Sequence, residues 1–174
     1  MEFKFVTAYN HEAMTAMALA LRKTVRKKHS RRSHVLGWIV VVLGLLLSLP
    51  FGNEHFEVNF KTVITWLLVV IIFVALMKED AINGYFAWKR MLPQLKSAET
   101  VFTADGYRSE TEAGTSEFHY NNIVSLAETK EYFVFIFSNS HAQVYDKRKL
   151  TGGTADEFRA FIQEVSECTI HKVF

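Results

Sequence analysis

Seven histidines, one cysteine, scattered serines and 18 acidic groups are the residues of this chain that could do chemistry. A zinc site needs three or four ligands in a closed set, usually announced by spacings such as His-x3-His or Cys-x2-Cys, and neither spacing occurs. His119 and His141 form the pair that neighbouring strands could bring together, with Glu117 or Asp146 as a third ligand, and Cys168 with His171 forms a second, weaker pair. Neither pair completes a set, so the expectation is surface histidines and a packed thiol, with no metal and no cofactor. Thr-Gly-Gly-Thr at 151–154 lacks the Gly-x4-Gly-Lys spacing of a phosphate cradle and reads as a turn and helix cap. Ser109, Ser116, Ser138 and Ser140 fall into no Ser-His-acid order. The chain is therefore not expected to be an enzyme. What remains is charge: Lys147, Arg148 and Lys149 form one basic patch in acidic surroundings, either a contact for anionic headgroups or a solvated strand end.

Charge also divides the chain. Residues 1–96 hold 13 Lys and Arg against 6 Asp and Glu, whereas 97–174 hold 7 against 12. A basic, apolar part followed by an acidic, mixed part argues against nucleic acid as the partner. A single cysteine excludes an intramolecular disulfide, so folding needs no oxidising compartment.

The basic cluster Arg22, Lys23, Arg26, Lys27, Lys28, Arg31 and Arg32 runs directly into an uncharged stretch at 35–51, and a second uncharged stretch occupies 63–77. Two unpatterned apolar runs have no polar face to present to water, so they read as transmembrane helices forming a hairpin over 35–78. The loop between them carries one Lys, while Lys78, Lys89, Arg90 and Lys96 follow the second run. The positive-inside rule then places both termini in the cytoplasm of a multi-pass inner-membrane protein. Arg26, Lys27, Lys28, Arg31, Arg32, Lys89 and Arg90 join residues 147–149 as candidate contacts with the anionic inner leaflet. Gly37, Gly44 and Ser48 fall on one helix face and are candidates for close packing, against the second helix or another copy.

The flanks must position these pieces. Phe3 and Phe5 alternate as in a short strand; Asn10 and Glu12 then mark a helix start, and Met14, Met17, Leu21 and Val25 follow at helical spacing. That basic amphipathic helix either lies on the inner leaflet or packs on the polar domain. Residues 79–97, with Tyr85, Phe86 and Trp88, read as a juxtamembrane linker helix ended near Pro93. From residue 98 onward period-two alternation predicts strands near 100–104, 107–112, 115–119, 123–128, 132–137 and 142–145. A final helix follows, with Thr154 and Glu157 as its capping box and Phe158, Phe161, Ile162 and Val165 as its apolar face. An antiparallel sheet capped by one helix is an α+β arrangement of the pleckstrin-homology-like kind.

Tyr120 with Ile123, Glu128 after the fourth of these strands, the basic 147–149 and the Thr154 helix together resemble the C-terminal domain of the YcxB-like family of bacterial membrane proteins. The resemblance implies an inner-membrane protein with two membrane helices and supplies no active site. The domain reading is 1–34 as N-terminal strand and basic helix, 35–78 as hairpin, 79–97 as linker and 98–174 as the cytoplasmic domain. The expected role is a membrane-anchored interaction, regulatory or protective module, its partners the bilayer and another protein or a second copy. The alternative is an oligomeric pore or transporter component packed through Gly37, Gly44 and Ser48.

Overall fold

A computed structural model describes residues 2–48 and 59–173, and the chain falls into two compact units. One consists of Met1–Lys27 together with Asp80–Phe174, the other of Lys28–Glu79. Residues 49–58, which hold the end of the first apolar stretch and most of the loop after it, lie outside the described residues.

The first unit is a mixed α+β domain. Strand β1 (Phe3–Ala8) buries Phe3, Phe5 and Thr7 on one face, as period-two alternation requires. Asn10 then caps helix α1 (His11–Lys23), its side chain accepting from the Ala13 N–H. Helix α4 (Glu79–Arg90) is the first element after the second unit, which supplies helices α2 (Lys27–Leu47) and α3 (Phe60–Met77). A 3-10 turn at Pro93–Leu95 leads into strands β2 (Ser97–Phe102), β3 (Tyr107–Thr111), β4 (Gly114–Phe118), β5 (Ser125–Glu128), β6 (Tyr132–Ile136) and β7 (Ala142–Asp146). The two-residue β8 (Leu150–Thr151), helix α5 (Ala155–Ser166) and the short β9 (Ile170–Lys172) complete the unit.

Two sheets result. The first has the order β4-β3-β2-β1-β8 and is antiparallel throughout; the second has the order β7-β6-β5-β9, with β9 parallel to β5. Between them lies an aromatic core of Phe3, Phe5, Phe102, Tyr107, Phe133, Phe135, Tyr145 and Phe158, each at most 3% exposed. Helix α5 inserts Phe158 into it, its ring centroid 4.7 Å from that of Phe5 and 5.3 Å from that of Phe3. Edge-to-face packing of this kind adds about 0.5–1.5 kcal/mol per pair beyond area burial.

Strand β1 therefore belongs to the C-terminal sheet. It pairs with β2 from Phe3↔Phe102 to Ala8↔Ser97 and with β8 on its other edge. The sequence separates 1–34 from 98–174 because local alternation identifies a strand without naming its neighbour. Gly152 makes the β8 approach possible: its φ is +87°, and a β-carbon there would collide with the Glu2 carbonyl oxygen. Thr-Gly-Gly-Thr is a turn followed by a helix cap, with Thr154 and Glu157 in a reciprocal capping box.

Helix α1 packs its apolar face on the domain. Ala13, Met14, Ala20 and Leu21 are buried with Val134, Ile136 and Val144 of the second sheet, which decides between the two positions open to this helix. Helix α4, expected as a linker, docks as well. Arg22 donates two hydrogen bonds to Asp80 at 2.6 Å, and a β-carbon on Gly84 would lie 2.6 Å from the Thr15 backbone nitrogen. Only glycine permits that crossing.

In the second unit, α2 and α3 are both long and apolar enough to cross a membrane. At about 1.5 Å per residue, their 21 and 18 residues approach the roughly 30 Å of a hydrocarbon core. A β-carbon on Gly37 would lie 2.6 Å from Leu76 Cδ2 and one on Gly44 2.6 Å from Val69 Cγ2, while Ser48 donates to the Gly44 carbonyl. Trp38 meets Phe73 edge-on at 5.8 Å, and His34 Nε2 lies 2.5 Å from Glu79 Oε2. Gly37 and Gly44 thus serve contact between α2 and α3. Gly37→Leu is expected to cost about 1–3 kcal/mol by overpacking and to slow disulfide formation between cysteines at 44 and 69, followed by gel mobility.

Candidate functional site

The polar chemistry of the first unit centres on Glu128, at the end of β5 and 3% exposed. Lys147 donates to Glu128 Oε1 at 3.0 Å, and Arg159 of α5 grips both carboxylate oxygens at 2.8 and 2.7 Å. Lys147 also donates to the Thr129 carbonyl at 2.7 Å, its ammonium 5.3 Å from the centre of the Phe133 ring. Burial pushes the Glu128 carboxyl up, but the hydrogen bonds from Arg159 and Lys147 outweigh it and hold the group below its ordinary value. The triad ties β5, the end of β7 and α5 together.

A second node surrounds Arg148. It donates to Asp146 from its side chain at 2.9 Å and from its backbone at 3.0 Å, pairs with Glu131 at 2.6 Å, and donates to the Tyr132 hydroxyl at 2.9 Å. Burial raises the Asp146 carboxyl, and the Arg148 hydrogen bonds bring it below normal. Burial is also the main reason the Tyr132 hydroxyl rises to about 12.

These nodes stand beside an open cleft of about 540 Å³ bounded by α1, the start of α4, the β5–β6 turn and the chain's end. Buried Ala16, Tyr132 and Val173 line it, and exposed His11, Glu12 and Lys130 rim it. Apolar walls with a few polar groups at the mouth are the usual form of a binding site. A smaller cavity of about 280 Å³ lies by Met14, Met17, Met91 and Gln143, and a cleft of about 550 Å³ crosses the outer face of β2–β4 among Glu99, Glu110 and Glu117.

Folded-state shifts set a pH window. Glu128 and Asp146 are depressed, so their contribution stands in full above the ordinary carboxylate range and is lost as pH falls through the lower folded values. Tyr9 and Tyr132 are raised to about 12, so their contribution stands in full below pH 10.0 and is lost as pH rises toward 12. Thermal unfolding followed by near-UV circular dichroism is expected to show a plateau from about pH 5 to about pH 9 and to fall on both sides.

The residues singled out from sequence distribute unevenly. His119 follows β4 and His141 lies in the β6–β7 turn near Ser138 and Ser140; their strands belong to different sheets, so the pairing across strands does not form. Cys168 donates weakly to the Ile123 carbonyl at 3.6 Å, at the edge of the core. Lys147 and Arg148 are engaged with carboxylates of the domain, Arg148 from an exposed position, and Lys149 is exposed without an ion pair among the described residues. Arg26 donates to the Asn139 carbonyl at 2.5 Å. Lys27, Lys28, Arg31, Arg32, Lys89 and Arg90 are exposed and form no ion pair among the described residues. Sequence reasoning missed Arg159 and the cleft, because Arg159 shows its role only once α5 lies on β5.

The fold defines a two-sheet α+β domain whose buried charges fasten elements together and whose clefts stand open to ligands. Residues 102–162 match the family model described as YcxB-like protein, so the likeness that the motif residues suggested holds for that stretch. The match runs from the last residue of β2 into α5 and takes in Tyr120, Ile123 and Glu128. These have structural duties: the Tyr120 hydroxyl donates to the Thr103 carbonyl at 2.6 Å, Ile123 is buried, and Glu128 holds the ion triad. No curated protein and no solved structure matches the chain.

Proposed function

We propose that this protein is a membrane-anchored binding module: α2 and α3 cross the inner membrane as a hairpin, and the YcxB-like domain, pleckstrin-homology-like in arrangement, works at the cytoplasmic face. The observation that carries the reading is the pairing of β1 with β2 and β8. Elements before and after the hairpin belong to one folded unit, which supports an even number of crossings with both flanks on one side of the membrane. The basic residues flanking the hairpin favour the cytoplasm as that side. The cleft beside α1 is the site for a protein or small-molecule partner, which makes the module an adaptor or regulator. The engagement of Gly37 and Gly44 within the hairpin favours an anchor over a pore.

A reporter active only in the periplasm tests the topology: it is expected to be silent at the carboxyl terminus and active when inserted between α2 and α3. A photo-crosslinking residue at Lys130 tests the cleft, with one at Glu110 on the outer sheet face as control. One defined adduct from position 130 alone supports the adaptor. A ladder of self-adducts from α2 positions favours the pore instead.

A further inference from the structure

Helix α4 carries two apolar faces: the domain buries one and meets the other through the Tyr85 ring, 6.1 Å edge-on from that of His11. Gly84 is buried against Thr15, and Ala87, Trp88 and Met91 pack at the edge of the α1 core. On the other side Ile82, Tyr85 and Phe86 are 37%, 44% and 50% exposed, with Leu92 just beyond the helix at 61%. Lys89 and Arg90 occupy its last turn, also exposed. Positions 82, 85, 86 and 89 recur at helical spacing, so aromatic, aliphatic and basic groups share one stripe.

We infer that this stripe is a lipid contact: α4 lies in the headgroup layer of the anionic leaflet, with Ile82, Tyr85 and Phe86 toward the acyl boundary and Lys89 and Arg90 on the phosphates. Two observations select lipid over a protein partner. Only Lys78 separates α4 from α3, so the stripe continues in sequence from a helix fit to cross a membrane. Its free charges are cationic and lack carboxylate partners among the described residues, which complements anionic headgroups. Interfacial helices bury aromatic and aliphatic groups about 5–10 Å into that boundary with basic residues above them. Since α4 is fastened to α1 through Gly84 and the Arg22–Asp80 pair, its depth fixes how the whole first unit meets the membrane surface. The inference rests on the spanning assignment of α3 made above.

The chain's single cysteine makes the test direct. In full-length protein carrying Cys168→Ala, or Cys168→Ser where folding requires it, nitroxide labels are placed by Phe86→Cys, Ile82→Cys, Lys130→Cys and Leu67→Cys. The protein is reconstituted in phosphatidylcholine vesicles containing phosphatidylglycerol, and collision with oxygen and with a water-soluble nickel complex is measured by EPR. Labels at 82 and 86 are expected to show an oxygen-to-nickel ratio several-fold above that at 130 and below that at 67. A label at 86 as nickel-accessible as that at 130, with 67 still protected, overturns the lipid contact alone. Shielding of 86 from both reagents overturns it in favour of a protein neighbour. Nickel access at 67 instead overturns the spanning assignment.

Discussion

Residues 98–174 expressed alone are expected not to fold, whereas residues 1–27 joined to 80–174 by a flexible linker are expected to give a cooperatively folded, monodisperse domain. Without β1 the first sheet loses the strand that lies between β2 and β8. Phe3 and Phe5, both 0% exposed, leave the aromatic core, and their contacts with Phe102, Phe158 and Phe161 go with them. Truncating one buried Phe costs about 3–5 kcal/mol, and a domain this size holds about 5–15 kcal/mol in all. Two such losses come to about 6–10 kcal/mol and, with the missing ladder, take up most or all of that margin. Circular dichroism with thermal melting of both chains checks the expectation; a sharp melt from 98–174 alone would contradict it.

Glu128→Gln is expected to destabilise the first unit by about 3–5 kcal/mol, the usual cost of removing one partner from a buried ion pair. Lys147, only 14% exposed at its side chain, and Arg159 would keep their charges beside a neutral amide. Much of this cost is the uncompensated cations, so Glu128→Gln combined with Arg159→Met should recover part of it. Denaturant unfolding of the four chains of that cycle measures the coupling. Additive losses would mean that the triad does not act as a unit.

Much of the domain could be read in order. The strands after residue 98, the Asn10 cap and the Thr154–Glu157 box all write themselves within a few residues, because alternation and capping are local. Strand β8, with two residues, and β9, with three, are too short to show a period. Which sheet a strand joins is a long-range property, so the local pattern could seat His119 near His141 while the fold keeps their strands in separate sheets. Gly84 looks like a weak point in a helix until Thr15 is seen against it. In the basic patch at 147–149, Lys147 and Arg148 look unpaired until Glu128 and Asp146 are placed beside them.

The pairing of Phe3 with Phe102 also sets a timetable. A ribosome completes β1 and α1 first, then the whole of α2 and α3, and only afterwards the strand that β1 must lie beside. During that interval Phe3, Phe5 and the apolar face of α1 have no native cover. Until the second half emerges, the nascent β1 and α1 are open to non-native contacts. Slowing translation after α3 should therefore increase aggregation or proteolysis of this chain, and a variant with the first 27 residues moved to the carboxyl end should be relieved of that burden.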